Sequence, residues 1–167
     1  MRPLSMFVLT AGVLLTAGTA FAQRDAGAKL HGEYSFYGNS AGTALRGAQE
    51  ASQEFRTYAK ATPTVNPEVA RAAADGIGDY IAKAQKHYGY MRKQAEAGKD
   101  KETLTALDSI DTHLAAAANM HNEMKDTCLK DHIEGQPVME CCKVIDDHLA
   151  KAISEHAKLM KKIAAKK

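Results

Sequence analysis

Four residues in the second half of the chain carry the side chains that transition metals prefer. Cys128 and His132 are four residues apart, and Cys141 and Cys142 follow beyond a Gly-Gln-Pro turn. On an α-helix a spacing of four returns to nearly the same face, so Cys128 and His132 can point at one ion. Thiolate and imidazole groups in a tetrahedral arrangement suit Zn(II) or Cu(I). The sequence therefore predicts Cys128, His132 and Cys141 as the primary metal ligands, with Cys142 beside them.

A second, softer group of candidate ligands is predicted further from the turn, and consists of His121, Met124 and His148. It belongs to a mirror pattern in which positions 128 and 141, 121 and 148, and 113 and 156 each sum to 269. That is the pairing rule for an antiparallel helical hairpin centred near Gly135. Any hairpin with a heptad pattern produces such symmetry, so the pattern indicates the fold more strongly than it indicates a site.

The same cysteines permit an interpretation without metal. In an oxidising compartment, a disulfide from Cys128 to Cys141 or Cys142 would clamp the hairpin and leave one odd thiol. Such a clamp contributes roughly 3 kcal/mol in the chain-entropy treatment. Adjacent helical residues diverge by about 100°, and the spacing differs from the C-x2-C of zinc motifs. A disulfide-clamped structural or partner-binding protein is therefore the alternative to a metal-binding protein.

Several other kinds of site have no signal in the sequence. No histidine follows a Glu or Asp by three residues, as the ligand motif of four-helix di-iron proteins requires. The chain also lacks C-x-x-C-H for covalent haem, H-E-x-x-H for a metalloprotease and a Gly-rich phosphate loop. Its Ser, His and Asp residues form no pattern typical of nucleophilic catalysis. We therefore expect a protein that is not an enzyme.

The N-terminal segment has the features of a secretory signal. Met1-Arg2 provides a short positive start, residues 6–15 are almost wholly apolar, and Ala20-Phe21-Ala22 is a cleavage site of the A-x-A type. The apolar run is too short for a stable membrane span. We expect residues 1–22 to be removed and the mature protein to be secreted or periplasmic. The formal charge of +2 is close to neutral, which argues against a nucleic-acid partner.

Four amphipathic segments must position the candidate ligands. After an irregular, aromatic- and Gly-containing lead-in over 23–38, the stretch 39–167 repeats apolar residues at helical spacing, in segments of approximately 40–60, 67–97, 100–134 and 137–165. Asn66-Pro67 opens the second segment, Asp100 caps the third, and Gly135 separates the third from the fourth. Four helices with short connections predict an all-α protein with an antiparallel, up-down-up-down four-helix bundle.

Thiols on a bundle seam behind a signal peptide resemble the exported four-helix copper-storage proteins. Those proteins carry many more cysteines, repeated on all helices, and only Cys128, Cys141 and Cys142 correspond to them here. The resemblance implies an architecture and not a storage capacity. The sequence thus predicts an exported bundle that binds a copper or zinc ion at the hairpin of its third and fourth helices. It leaves open a protein partner or a homodimer through the aromatic residues of the lead-in.

Overall fold

The computed structural model describes residues 17–165, with side chains from residue 32 onward, and four helices make up nearly all of this range. They are α1 (Ala17–Ala61), α2 (Pro67–Ala97), α3 (Lys101–Cys128) and α4 (Gly135–Ala165). Two short strands, β1 (Thr64–Val65) and β2 (Ile133–Glu134), lie in the connections before α2 and α4. The prediction of an all-α protein is therefore confirmed. Most of the predicted signal segment, residues 1–22, lies outside the described residues.

Helix α1 begins earlier than the sequence indicated, because the stretch 23–38 is helical rather than irregular. Glycine disfavours a helix interior by about 1 kcal/mol relative to alanine, but tertiary packing commonly overrides this preference. Here Tyr34 is buried at 4% exposure, and a Cβ at Gly38 would meet the side chain of Met160 on α4. The close contact of this part of α1 with α4 thus compensates for its weak intrinsic preference.

The capping residues set the starts of α2 and α3. The Asn66 side chain accepts hydrogen bonds from the backbone N–H groups of Glu68 and Val69, at 2.8 and 3.3 Å, immediately before Pro67. Asp100 accepts one from the N–H of Thr103 at 3.1 Å. Each side-chain oxygen satisfies helix N–H groups that have no partner within the helix. Helix α2 therefore has the bounds that the sequence indicated, and α3 begins one residue later than expected.

Each helix contacts two others, since α1 and α3 both pack against α2 and α4. The start of α3 contacts the end of α4, where Glu102 pairs with Lys162 at 3.1 Å. The end of α3 contacts the start of α4, where Met124 contacts Cys142 at 3.5 Å. The shared interior is lined by aliphatic residues and many alanines, including Leu107, Ile145 and Leu149 at 0% exposure. Within residues 17–165, no helix has an apolar run sufficient to cross a bilayer.

The α1–α2 and α3–α4 connections are joined at one end of the helices. Strand β1 pairs antiparallel with β2, with Val65 opposite Ile133, and both side chains are almost fully buried. The N–H of Gly135 donates to the carbonyl of Pro63 at 3.0 Å. A Cβ at Gly135 would meet the backbone carbonyl oxygens of Ala59 and Thr62, so this position requires a residue without a side chain. This contact fixes where α4 begins.

Candidate metal centre

The hairpin of α3 and α4 has a different register from the one the sequence suggested. Helix α3 ends at Cys128 instead of near 134, and α4 begins at Gly135 instead of 137. These two positions sum to 263, and the pairs that face each other also sum to less than 269: 102 with 162 gives 264, 113 with 148 gives 261, and 124 with 142 gives 266. The physical reason is the β1–β2 pairing, which draws Ile133 into the core and ends α3 early. Consequently Cys142, and not Cys141, is the fully buried cysteine of α4.

Cys142 and Met124 form a buried sulfur contact between α4 and α3. Their Sγ and Sδ atoms are 3.5 Å apart, and both residues are 0% exposed. Cys128 follows Met124 by four residues, hence lies on the same face of α3, and is 1% exposed. Cys141 is half-buried beside them. We call Met124, Cys128, Cys141 and Cys142 the sulfur group.

The thiols of the sulfur group are protonated at neutral pH. Burial raises the pKa of Cys142 to about 12 and that of Cys128 to about 11. The pKa of Cys141 is also raised, mainly by burial and secondly by the negative charges of Glu123 and Glu140. Charge on Cys141 raises the pKa of the other two thiols, so the three lie within electrostatic range of one another. A metal ion that binds here must displace thiol protons.

No disulfide clamps the hairpin. Cys128, Cys141 and Cys142 are all free, and no two of them lie at disulfide distance. Adjacent positions on α4 diverge by about 100°, which turns Cys141 away from the interior that Cys142 faces. The predicted pairing of Cys128 with either of the other cysteines is therefore not formed.

His132 lies beyond the end of α3 and does not share a helix face with Cys128. Helix α3 ends at Cys128, so His132 is not one helical turn further along the same face, and the spacing argument that joined the two residues fails. His132 is exposed and lines a hollow with Thr64, Glu134 and Met139. Cys128 lines a different hollow, on the side of α2. The helical spacing that suggested His132 as a partner of Cys128 is therefore absent, and the two residues line different hollows.

The predicted softer group is divided among three separate contacts. The Nε2–H of His121 donates to the backbone carbonyl of Ala74 on α2 at 2.7 Å. Met124 contacts Cys142, as described above. The ring of His148 lies beside that of His113, with centroids 5.9 Å apart. His121 therefore links α3 to α2 through a hydrogen bond. Met124 lies with the cysteines, and His148 lies beside His113 at another point of the contact between α3 and α4.

Two residues that the sequence analysis did not single out border the sulfur group. The Ser52 hydroxyl on α1 donates to the backbone carbonyl of Cys142 at 3.3 Å. Asp146, one turn after Cys142, is 6% exposed, and its Oδ2 lies 2.9 Å from Nη1 of Arg56. Burial raises the pKa of Asp146, while Ser52 and Arg56 oppose the rise. The sequence signal for this ion pair was an acidic residue, Asp146, among the apolar residues of a helix face.

His156 is hydrogen-bonded within the interior, because its Nδ1 lies 2.9 Å from the hydroxyl of Tyr88. Burial lowers the pKa of His156, with the charge of Arg46 as a second cause. The ring is therefore neutral, and the Tyr88 O–H donates to Nδ1 when the proton sits on Nε2. This bond occupies the histidine that the mirror pattern had paired with His113.

Replacing Tyr88 with phenylalanine is expected to lower the free energy of unfolding by about 1–3 kcal/mol, because the buried Nδ1 of His156 loses its partner. Urea unfolding at pH 7.5 measures the change. Tyr80→Phe is the matched control, since Tyr80 is 41% exposed and water can solvate its hydroxyl. Equal stabilities of the two variants would contradict a structural role for the bond.

The sulfur group differs in composition from a closed zinc site. Among residues 17–165, no group of three or more His, Cys, Asp or Glu side chains is arranged to hold a metal ion. The buried contact closest to a metal site instead combines a thiol with the thioether of Met124. Comparisons with protein families, with curated proteins and with solved structures find no match to this chain. The functional argument therefore rests on its own residues.

Proposed function

We propose that the protein is a non-enzymatic helical bundle that binds one Cu(I) ion through Cys142, Met124 and Cys128, with Cys141 at the edge of the site. The observation that carries the proposal is the 3.5 Å separation of the Cys142 and Met124 sulfur atoms. An ion bonded to both sulfurs at about 2.3 Å would hold them roughly 3.5–4.6 Å apart, as the bond angle opens from about 100° to linear. The pair is thus already close to the spacing that one bound ion requires.

Cu(I) suits this group better than Zn(II). Thioethers and thiolates are soft ligands that select Cu(I), whereas structural zinc takes four ligands from Cys, His, Asp and Glu. The described residues form no such cluster of three or more. The proposal therefore retains copper from the two metals that the sequence predicted and replaces His132 with Met124 as a ligand.

We further propose that the protein acts outside the cytoplasm, as a secreted or periplasmic protein whose residues 1–22 are removed. The support is the charged, apolar and A-x-A pattern of that segment. The proposed arrangement is the antiparallel, up-down-up-down bundle, which agrees with the opposite sense of the contacts between α3 and α4. In an oxidising compartment, a bound ion would also protect thiols that are not paired in a disulfide.

A partner-binding protein is the second candidate, and an exposed aromatic cluster favours it. The rings of Tyr37 on α1 and Tyr90 on α2 stack with centroids 5.0 Å apart, and Phe36 packs edge-on against Tyr37 while remaining 64% exposed. Aromatic side chains with one exposed face are enriched at protein interfaces. The sequence suggested a disulfide-clamped structural or partner-binding protein as the alternative. The second candidate is a partner-binding protein without the disulfide, because the thiols are free.

Titration of the reduced full-length protein with Cu(I), against a chromophoric Cu(I) chelator, tests the proposal. We expect one equivalent of Cu(I) to bind. Met124→Leu conserves volume but removes the thioether, and should weaken binding by more than about tenfold, or about 1.4 kcal/mol. Met139→Leu is the matched control, because Met139 lines the hollow beside His132. Absence of Cu(I) binding, or equal affinities of Met124→Leu and wild type, would leave partner binding as the better account.

A further inference from the structure

Two histidines face each other across the α3–α4 seam, away from the sulfur group. The rings of His113 and His148 have centroids 5.9 Å apart and planes inclined by 40°. Both residues are half-buried. His113 precedes Met124 by eleven residues, which is about 16 Å along a helix. The two imidazoles therefore form a cluster that is separate from the sulfur group and uses different donor atoms.

The Nδ1 atom of His148 is buried and has no hydrogen-bond partner. Most buried polar side-chain atoms in proteins do have a partner, so an unpaired one requires an explanation. Within the described residues, the structure places the ring of His113 beside it without a hydrogen bond between the two rings. An imidazole nitrogen that lacks a proton offers a lone pair, and a metal ion is a partner that can use it.

Electrostatics favours the uncharged form of His148. Burial is the largest cause that lowers its pKa, and the charges of Lys151 and His113 lower it further, while Asp147 acts in the opposite direction. Neutral imidazole is the form that binds metals. His148 therefore favours the uncharged form, which can bind a metal ion beside the ring of His113.

We propose that His113 and His148 form a metal site of their own, which binds a borderline divalent ion such as Zn(II) between the two rings. Zn(II) bonds imidazole nitrogen at about 2.0–2.1 Å, so two rings on one ion have centroids roughly 5–6.5 Å apart for angles from tetrahedral to linear. The observed 5.9 Å lies within this range. Because both residues are only half-buried, water can complete the coordination, so this is an open site with two protein ligands and not a closed structural zinc site. The site does not depend on Cu(I) binding at the sulfur group.

Calorimetric titration of the reduced full-length protein with Zn(II) at pH 7.5 tests this site. We expect His113→Gln and His148→Gln each to weaken binding by more than about tenfold, since even loss of an outer-shell partner commonly costs 10–100-fold. His87→Gln is the matched control: His87 is also half-buried with an unpaired Nδ1, but its ring neighbours are Tyr37 and Tyr90. Its affinity should stay within about twofold of wild type.

NMR spectroscopy of the wild-type protein provides a second test, which does not depend on whether the variants fold. In the wild-type protein, Zn(II) should shift the imidazole NMR signals of His113 and His148 together and leave those of His87 in place. Unchanged signals for the pair would overturn the proposal, as would wild-type affinity in either glutamine variant. Zn(II) binding that disappears in Cys142→Ser and persists in both histidine variants would assign the ion to the sulfur group, and would also overturn it.

Discussion

Replacing Cys142 with serine is expected to lower the affinity for Cu(I) by at least about 100-fold, or about 2.7 kcal/mol. The serine hydroxyl is a hard ligand that does not replace a thiolate on a soft ion. The Sγ atom of Cys142 lies 3.5 Å from the Sδ atom of Met124 across the contact between α4 and α3. Competition with a chromophoric Cu(I) chelator measures the affinity directly.

Cys141→Ser provides the matched control for this prediction. Cys141 is adjacent in sequence and has the same chemistry, but it is half-buried and directed away from the interior. We expect its affinity for Cu(I) to fall by less than about tenfold. If Cys141→Ser lost as much affinity as Cys142→Ser, the ion would lie at the edge of the seam and not at the Met124 contact. Helicity and thermal unfolding of both variants should be compared first, because Cys142 is 0% exposed.

Gly135→Ala is expected to lower the free energy of unfolding by about 3 kcal/mol, at the upper end of the cost of overpacking. The added Cβ would collide with the backbone carbonyls of Ala59 and Thr62, which cannot move aside as a flexible side chain can. Relief of the clash would separate α4 from the end of α1 and weaken the β1–β2 pairing. Urea unfolding at 25 °C measures the loss.

Gly89→Ala is the control for the effect of glycine alone. Gly89 also lies within a helix, but a Cβ there would meet nothing within 4 Å. Alanine is favoured over glycine in a helix interior, so this variant should gain about 1 kcal/mol. The opposite signs of the two changes distinguish a steric requirement from helix preference. A stability of Gly135→Ala equal to wild type would show that the two connections are not held together as described.

Local signals in the sequence were sufficient to predict the bounds of α2, because capping residues determine where it begins and ends. Asn66 and Pro67 act through bonds and backbone angles within one turn, so they can be recognised without knowledge of the rest of the fold. The start of α1 was missed because Tyr34 and Gly38 gain their stability from contacts with other helices. Such contacts have no periodic signature in the segment itself.

The candidate site was predictable in its residue types and not in its grouping. Sequence analysis selected the three cysteines and Met124, but it centred the turn on Gly135 and therefore paired positions that sum to 269. The end of α3 depends on Ile133, which pairs with Val65 across about 70 residues of chain. That long-range contact moves the register, brings His148 to His113 and leaves His132 outside α3. The sequence pattern of the α3–α4 hairpin alone does not reveal this pairing with a distant segment.

Contacts from neighbouring helices hold the segment of α4 around Cys142, including the ion pair between the buried Asp146 and the 40% exposed Arg56. Asp146 lies one turn from Cys142, and Ser52 holds the carbonyl of Cys142 from α1. A metal ligand that is fixed by its surroundings loses less freedom when the ion binds. The position of Cys142 is therefore set by three helices together, through Ser52 on α1, Met124 on α3 and its own helix α4.

X-ray absorption at the copper edge of the Cu(I)-loaded protein tests the central claim most directly, because it reports the atoms bonded to the ion. The proposed site predicts a first shell of three sulfur atoms at about 2.3 Å, and of two in Met124→Leu. A first shell that contains nitrogen or oxygen in place of sulfur, or one that is unchanged in Met124→Leu, would contradict the assignment of Cu(I) to Cys142, Met124 and Cys128.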